Sequence, residues 1–145
     1  MRINVDCVRD IMLCSESNTG LRSCCVFIDT ELSASIAPHL GELPKEPSDY
    51  QSELNQKWDN ETLIYHVRYC IDADLLRVVG TPTDEYVISD LTPKGHSFIE
   101  NIREPKNWRS VKGVAEKVGS KSLEAIVQIA SNVISDVVKV QLGIT

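Results

Sequence analysis

The chain has 145 residues, of which 42% are hydrophobic and 25% charged, and it carries 15 Lys and Arg against 21 Asp and Glu, a net charge of −6. That length suits one domain, or a small domain with an extension, and buries roughly 68–70% of the surface that the unfolded chain exposes. No run is long and apolar enough to span a bilayer and the stretch Met1-Arg2-Ile3-Asn4-Val5-Asp6 is too polar for a signal peptide, so membrane-spanning and secreted classes are set aside and a cytoplasmic protein is expected.

Residues 4–17 read as an amphipathic helix, with Asn4 as cap, Asp6 in the first turn and Val8, Ile11 and Met12 on one face. Asn18-Thr19-Gly20 ends it, and Arg22 to Ile28 reads as a strand. Residues 29–50 hold Pro38, Pro44, Pro47 and Gly41 among several carboxylates, and are expected to be a flexible loop with at most a short edge strand. A second helical block starts near Tyr50. Asp59 or Asn60 then caps a third helix, with Trp58 placed to staple onto Leu63 or Ile64. Its expected buried stripe is Ile64, Val67, Ile71 and Leu75, which leaves Glu61, Tyr65, Arg68, Tyr69 and Asp72 on the opposite face.

Leu76 to Val79 and Glu85 to Ile88 flank turn chemistry at Gly80-Thr81-Pro82-Thr83-Asp84 and predict a hairpin. Thr92-Pro93 starts a further helix with an apolar face of Phe98, Ile99 and Ile102. Glu104-Pro105 stops it. A basic helix follows over about Asn107 to Val118, and a long apolar one begins at Ser122 and closes at Gly143.

Helix, strand, helix, capped helix, hairpin and helix is the order of a winged helix-turn-helix core. The expected fold class is therefore α+β, mostly α, with a winged core over residues 1–104 and a helical extension over 105–145. Ile3-Asn4-Val5-Asp6-Cys7-Val8-Arg9-Asp10-Ile11, Tyr65-His66-Val67-Arg68 with Leu75-Leu76, Leu91-Thr92-Pro93-Lys94-Gly95-His96-Ser97-Phe98, Trp108 and Ser122-Leu123-Glu124 sharpen the likeness. In these motifs the chain resembles the small bacterial and prophage family catalogued as domain of unknown function 2513. The resemblance implies a winged-helix fold and no particular activity. One departure is visible: Asp74 stands where the family usually has glycine, in the turn after the third helix, and Asp enters the left-handed region at modest cost.

Charge is unevenly spread. It totals −9 before residue 105 and +3 from there on. A winged helix that reads DNA puts its recognition helix in the major groove and draws most of its affinity from Lys and Arg on phosphates. Here the third helix offers only Arg68 against Glu61 and Asp72, and the hairpin tip carries no cation. Tyr65, Arg68 and Tyr69 are residue types enriched at protein interfaces, so with Asp72 they form the candidate partner-binding set. The alternative is that the tyrosines merely flank the core with their hydroxyls in water.

Lys106, Arg109, Lys112, Lys117 and Lys121 cluster around Trp108. They are either a phosphate-binding patch or a solvated helix face with Trp108 packed inward, and the second reading is favoured. Docking of this patch on the acidic face, in the same chain or a second copy, is a further alternative. The apolar positions of residues 122–142 cover more than one stripe, which predicts either a central helix or one shared with a partner, and homodimerisation is the expectation.

Five cysteines (Cys7, Cys14, Cys24, Cys25 and Cys70) form no CxxC or zinc spacing and are expected as reduced core residues. His39, His66 and His96 are expected at the surface or on helix flanks. With no phosphate loop, dinucleotide fingerprint, HExxH or nucleophile elbow, the sequence predicts no cofactor, no metal and no catalysis. Three readings remain: a non-enzymatic binding protein for a protein partner, a DNA-binding regulator, and an inhibitor of host defence acting by charge mimicry.

Overall fold

A computed structural model describes residues 1–143. The elements are α1 (Val5–Ser17), β1 (Cys25–Ile28), α2 (Thr30–Ile36) with a 3-10 turn at Ala37–Leu40, α3 (Asp49–Asn55), α4 (Asn60–Asp72), β2 (Leu76–Val79), β3 (Glu85–Leu91), α5 (Pro93–Ile102), α6 (Pro105–Val118) and α7 (Leu123–Gln141). The fold is mostly α with one small antiparallel sheet, ordered β1-β3-β2. No helix among the described residues is long and apolar enough to cross a membrane.

Capping chemistry sets most helix starts. The Asn4 side chain accepts from the backbone N–H of Asp6 and Cys7, Asp59 from Thr62, Thr92 from Gly95, and Ser122 from Ala125. Gly119, at φ 72°, closes α6 in the left-handed conformation that favours glycine. One core runs through the whole molecule. It joins Val8, Ile11 and Met12 of α1, Phe27 of β1, Leu63 and Val67 of α4, Phe98 and Ile102 of α5, Trp108 and Val111 of α6, and Ile126 and Ala130 of α7.

The segment 29–50 corrects the loop expectation. Asp29 caps α2 by accepting from Leu32 N–H, and Pro38 sits in the first turn of the 3-10 piece, where a missing N–H costs nothing. Pro38 thus marks an element start, whereas Pro44 and Pro47 lie in the coil over residues 42–48, where the loop expectation holds. The Asn60 amide ties the segment to α4: its Nδ2 donates to Asp29 Oδ1 at 2.9 Å, and its Oδ1 accepts from Thr30 N at 2.9 Å. Lys45 pins the remaining coil to the hairpin, reaching Asp84 at 2.9 Å and Glu85 at 3.1 Å.

The outer edge of β1 is covered by side chains of α3. Gln51, fully buried, accepts from Ile28 N at 2.7 Å and donates to Ile28 O at 2.8 Å, while Tyr50 Oη accepts from Val26 N at 2.7 Å. An edge strand that would otherwise present free backbone groups is satisfied in this way.

On α4 the buried face is Leu63, Ile64, His66, Val67 and Cys70, whereas Ile71 is only half-buried. His66 therefore lies inside and not at the surface as expected. Its Nε2 accepts from Asn4 N at 2.8 Å, so Nδ1 carries the proton and donates to Thr62 O at 2.7 Å, which makes this a neutral imidazole joining α1 to α4. The five cysteines form no disulfide; Cys7, Cys25 and Cys70 are core residues, but Cys24 is exposed, against expectation. Trp58 is anchored to α1 through Nε1, which donates to Asp10 Oδ2 at 3.0 Å.

The turn from α4 into β2 meets the start of α5. Asp74 stands at φ 60°, the left-handed conformation expected of a position that usually holds glycine. Thr92 donates from Oγ1 to Asp74 O, its backbone N–H donates to Leu75 O at 3.1 Å, and a Cβ on Gly95 would lie 2.1 Å from Leu75 O. Gly95→Ala is thus expected to destabilise by about 3 kcal/mol, by forcing the two backbones apart. Gly113→Ala, in the open interior of α6, is expected to stabilise by roughly 0.5–1 kcal/mol. Chemical denaturation of both variants measures the contrast.

Candidate protein-docking surface on α4

Helices α3 and α4 are joined by the short segment 56–59, and the β2–β3 hairpin that follows α4 lies beside it. Arg68, Tyr69 and Asp72 are exposed and Tyr65 is half-buried. The Tyr65 and Tyr69 rings lie 6.3 Å apart between centroids, tilted by 33°. These four side chains form one ridge along the helix. Among the described residues Arg68 makes no ion pair or side-chain hydrogen bond, so its guanidinium is open to an incoming group.

The structure adds two grooves that flank the ridge and share Arg68. Toward the hairpin, Arg68, Ile71, Asp72, Val78, Pro82 and Tyr86 line a depression of about 300 Å³. Toward α2, Asp29, Glu31, Asn60, Glu61, Ile64 and Tyr65 with Arg68 line one of about 220 Å³. The first mixes apolar side chains with the charged Arg68 and Asp72, and the second is acidic. Sequence reasoning missed Asp29 and Glu31 because it read their segment as loop, although an Asp followed two residues later by Glu ahead of an apolar residue is a helix-start signal. At the C-terminal end of α4, Tyr69, Asp72, Asp74, Lys94, Leu123 and Val127 border a third depression, of about 550 Å³.

The basic residues are not part of this surface. Trp108 is buried, and its Nε1 donates to Asp6 Oδ1 at 2.8 Å; Lys112, half-buried over the indole ring, reaches the same oxygen at 3.1 Å. Lys112 is thereby committed to α1. Lys112 and Lys121 line a separate cleft of about 490 Å³ with Arg2, Asp6 and Glu116, while Lys106, Arg109 and Lys117 are exposed on α6 outside that cleft. The five cations expected as one set are thus divided. At the hairpin tip, the pairing of Lys45 with Asp84 and Glu85 consumes the nearest cation.

Burial works against the Asp6 carboxylate, but the hydrogen bonds from Trp108 and Lys112 outweigh it and hold its pKa below the usual carboxylate range. Glu16 is held low in the same direction by Arg103, which binds it at 2.6 and 2.7 Å through two nitrogens. A depressed folded-state pKa contributes stability that is complete above the unfolded value and is lost as pH falls through the folded one. Unfolding free energy is therefore expected to drop as pH is lowered below about 4. Asp6→Asn should lower stability at neutral pH and flatten that dependence, as read from urea titrations across the acid range.

The interaction of the neighbouring Cys14 and Cys25 thiols lowers the pKa of Cys14 and raises that of Cys25; burial raises Cys7 to about 12. His39 and His96 are exposed, the latter 3.3 Å from Asp90.

Comparison with known families matches residues 27–121 to the family described as hypothetical protein DUF2513. The match includes α2 and the segment 29–50, where the sequence motifs are weakest, and ends just before α7. No curated protein and no solved structure matches the chain. With about two thirds of its length matched, from β1 through the α6–α7 turn, the chain belongs to the DUF2513 family.

Proposed function

We propose that this chain is a non-enzymatic winged-helix binding protein of a bacterial or prophage cytoplasm, which docks a protein partner on the ridge of α4. The observation that carries the reading is Arg68. It stands unpaired between two tyrosines, at the junction of a groove of mixed polarity and an acidic one. Aromatic rings beside an open guanidinium are the composition of interface anchors. The same surface disfavours duplex DNA, because Glu61, Asp72 and Asp74 are exposed around one arginine and the flanking groove adds Asp29 and Glu31.

A second reading, a DNA-binding regulator, is favoured by the exposure of Lys106, Arg109, Lys117 and Lys121, none of which is ion-paired among the described residues. These cations would track phosphate from outside the winged face. The third, an inhibitor of host defence that occupies a nucleic-acid site by charge mimicry, draws on the acidity of the α4 face alone.

The variants Arg68→Glu and Tyr69→Ala alter exposed side chains and are expected to fold normally. Affinity capture from a lysate of the source bacterium should recover a defined protein with the parent chain and with Arg109→Glu/Lys117→Glu, and lose it with the two α4 variants. Recovery unchanged by Arg68→Glu would remove the ridge from consideration. Binding of a random duplex that weakens steeply with salt and disappears in Arg109→Glu/Lys117→Glu would instead establish the regulator.

A further inference from the structure

We infer that the C-terminal half of α7 is a self-association surface whose occupant is a second copy of this chain. Along α7 the positions Leu123, Ile126, Ala130, Val133, Val137 and Val140 alternate in steps of three and four, so they form one continuous seam. Its first half packs into the core against α5 and α6. Exposure then rises along the same seam, from 0% at Ala130 to 40% at Val137 and 63% at Val140, as the helix runs past the elements beneath it. Val138 and Leu142, on the adjoining stripe, are 48% and 69% exposed. A surface helix normally ends its apolar stripe where its support ends. This one continues.

The chemistry of the face selects the occupant. Asn132, Ser135, Asp136 and Lys139 occupy the other side of the helix; Ser131 and Gln141 fall within the apolar arc as neutral polar side chains, and over the C-terminal half of α7 the arc contains no charged side chain. Two copies can meet there about a twofold axis without opposing like charges, although each chain carries −6 elsewhere. A membrane-surface helix is built differently, with a surplus of Lys and Arg on its polar face; here one Asp and one Lys cancel. The exposed apolar surface amounts to a few hundred Å², the size at which a patch marks an interaction site. A stable interface takes about 800 Å² per partner. The dimer is therefore weak and concentration-dependent, and the exposed part of the seam contains none of the α4 ridge residues. The inference is independent of the function proposed for that ridge.

Sedimentation velocity over a concentration series, from low micromolar to hundreds of micromolar, tests it on the full chain. The expected result is a shift from monomer to dimer mass, abolished in Val137→Glu and in Val140→Glu with thermal stability retained. Because both side chains are substantially exposed, loss of folding is not expected, and circular dichroism of each variant verifies this. A parent chain that stays monomeric at the highest concentration overturns the inference, as does a dimer that survives both substitutions. Co-sedimentation of the monomeric parent with phosphatidylglycerol vesicles, lost in Val140→Glu, would reassign the face to lipid.

Discussion

The close approach of Gly95 to the Leu75 carbonyl is the constraint on which the arrangement of α4, the hairpin and α5 depends. Only a residue without a side chain can bring the first turn of α5 against the backbone that leaves α4. Thr92 turns that proximity into a joint, since one side chain caps α5 and bonds to Asp74 O while its own N–H is taken by Leu75 O. The hairpin begins and ends at this joint, because Leu76 opens β2 opposite Leu91, the last residue of β3. The angle between α4 and the hairpin, and hence the groove holding Arg68, Val78 and Tyr86, follows from it. Lys94 adds a cation at the C-terminal end of α4, donating to Ala73 O at 3.2 Å, where the helix dipole favours positive charge.

A second joint works at the other end of α4. Asn60 holds the start of α2, and His66 holds the start of α1 through Asn4. Two helices, α1 and α2, are therefore registered on α4 by polar contacts that apolar packing alone would leave free to slide. The outward face of the helix is released from structural duty. Arg68 makes no ion pair or side-chain hydrogen bond among the described residues, and Tyr69 is 37% exposed with its ring 6.3 Å from that of Tyr65.

Much of this was legible before the structure. Element starts at Asn4, Asp59, Thr92 and Ser122 rest on local capping, which a sequence displays directly. The left-handed turn at Asp74 and the inward packing of Trp108 were legible as well, the first from a departure from the family pattern and the second from an aromatic on the apolar side of a basic helix. The segment 29–50 was not. Its prolines carry the same weight in a loop as in the first turn of a helix, and the Asp29 cap that starts Thr30–Ile36 is held by Asn60, thirty residues away, which binds both Asp29 and Thr30. His66 was misplaced for a related reason: an imidazole on a helix is surface or core according to whether a donor waits for it, and Asn4 N–H is supplied by a distant element.

The sequence by itself determined the class of fold, the capped helix starts at Asn4, Asp59, Thr92 and Ser122 and the division of charge into an acidic body and a basic end, because each depends on residues near one another in the chain. Tertiary structure alone decided which charges are spent and which remain available. Lys112 is withdrawn by Asp6 and Lys45 by Asp84, whereas Arg68 is left open between two grooves. It also decided where the apolar seam of α7 loses its cover. Pairing and burial are properties of what lies opposite a side chain in space, and linear spacing does not contain that information.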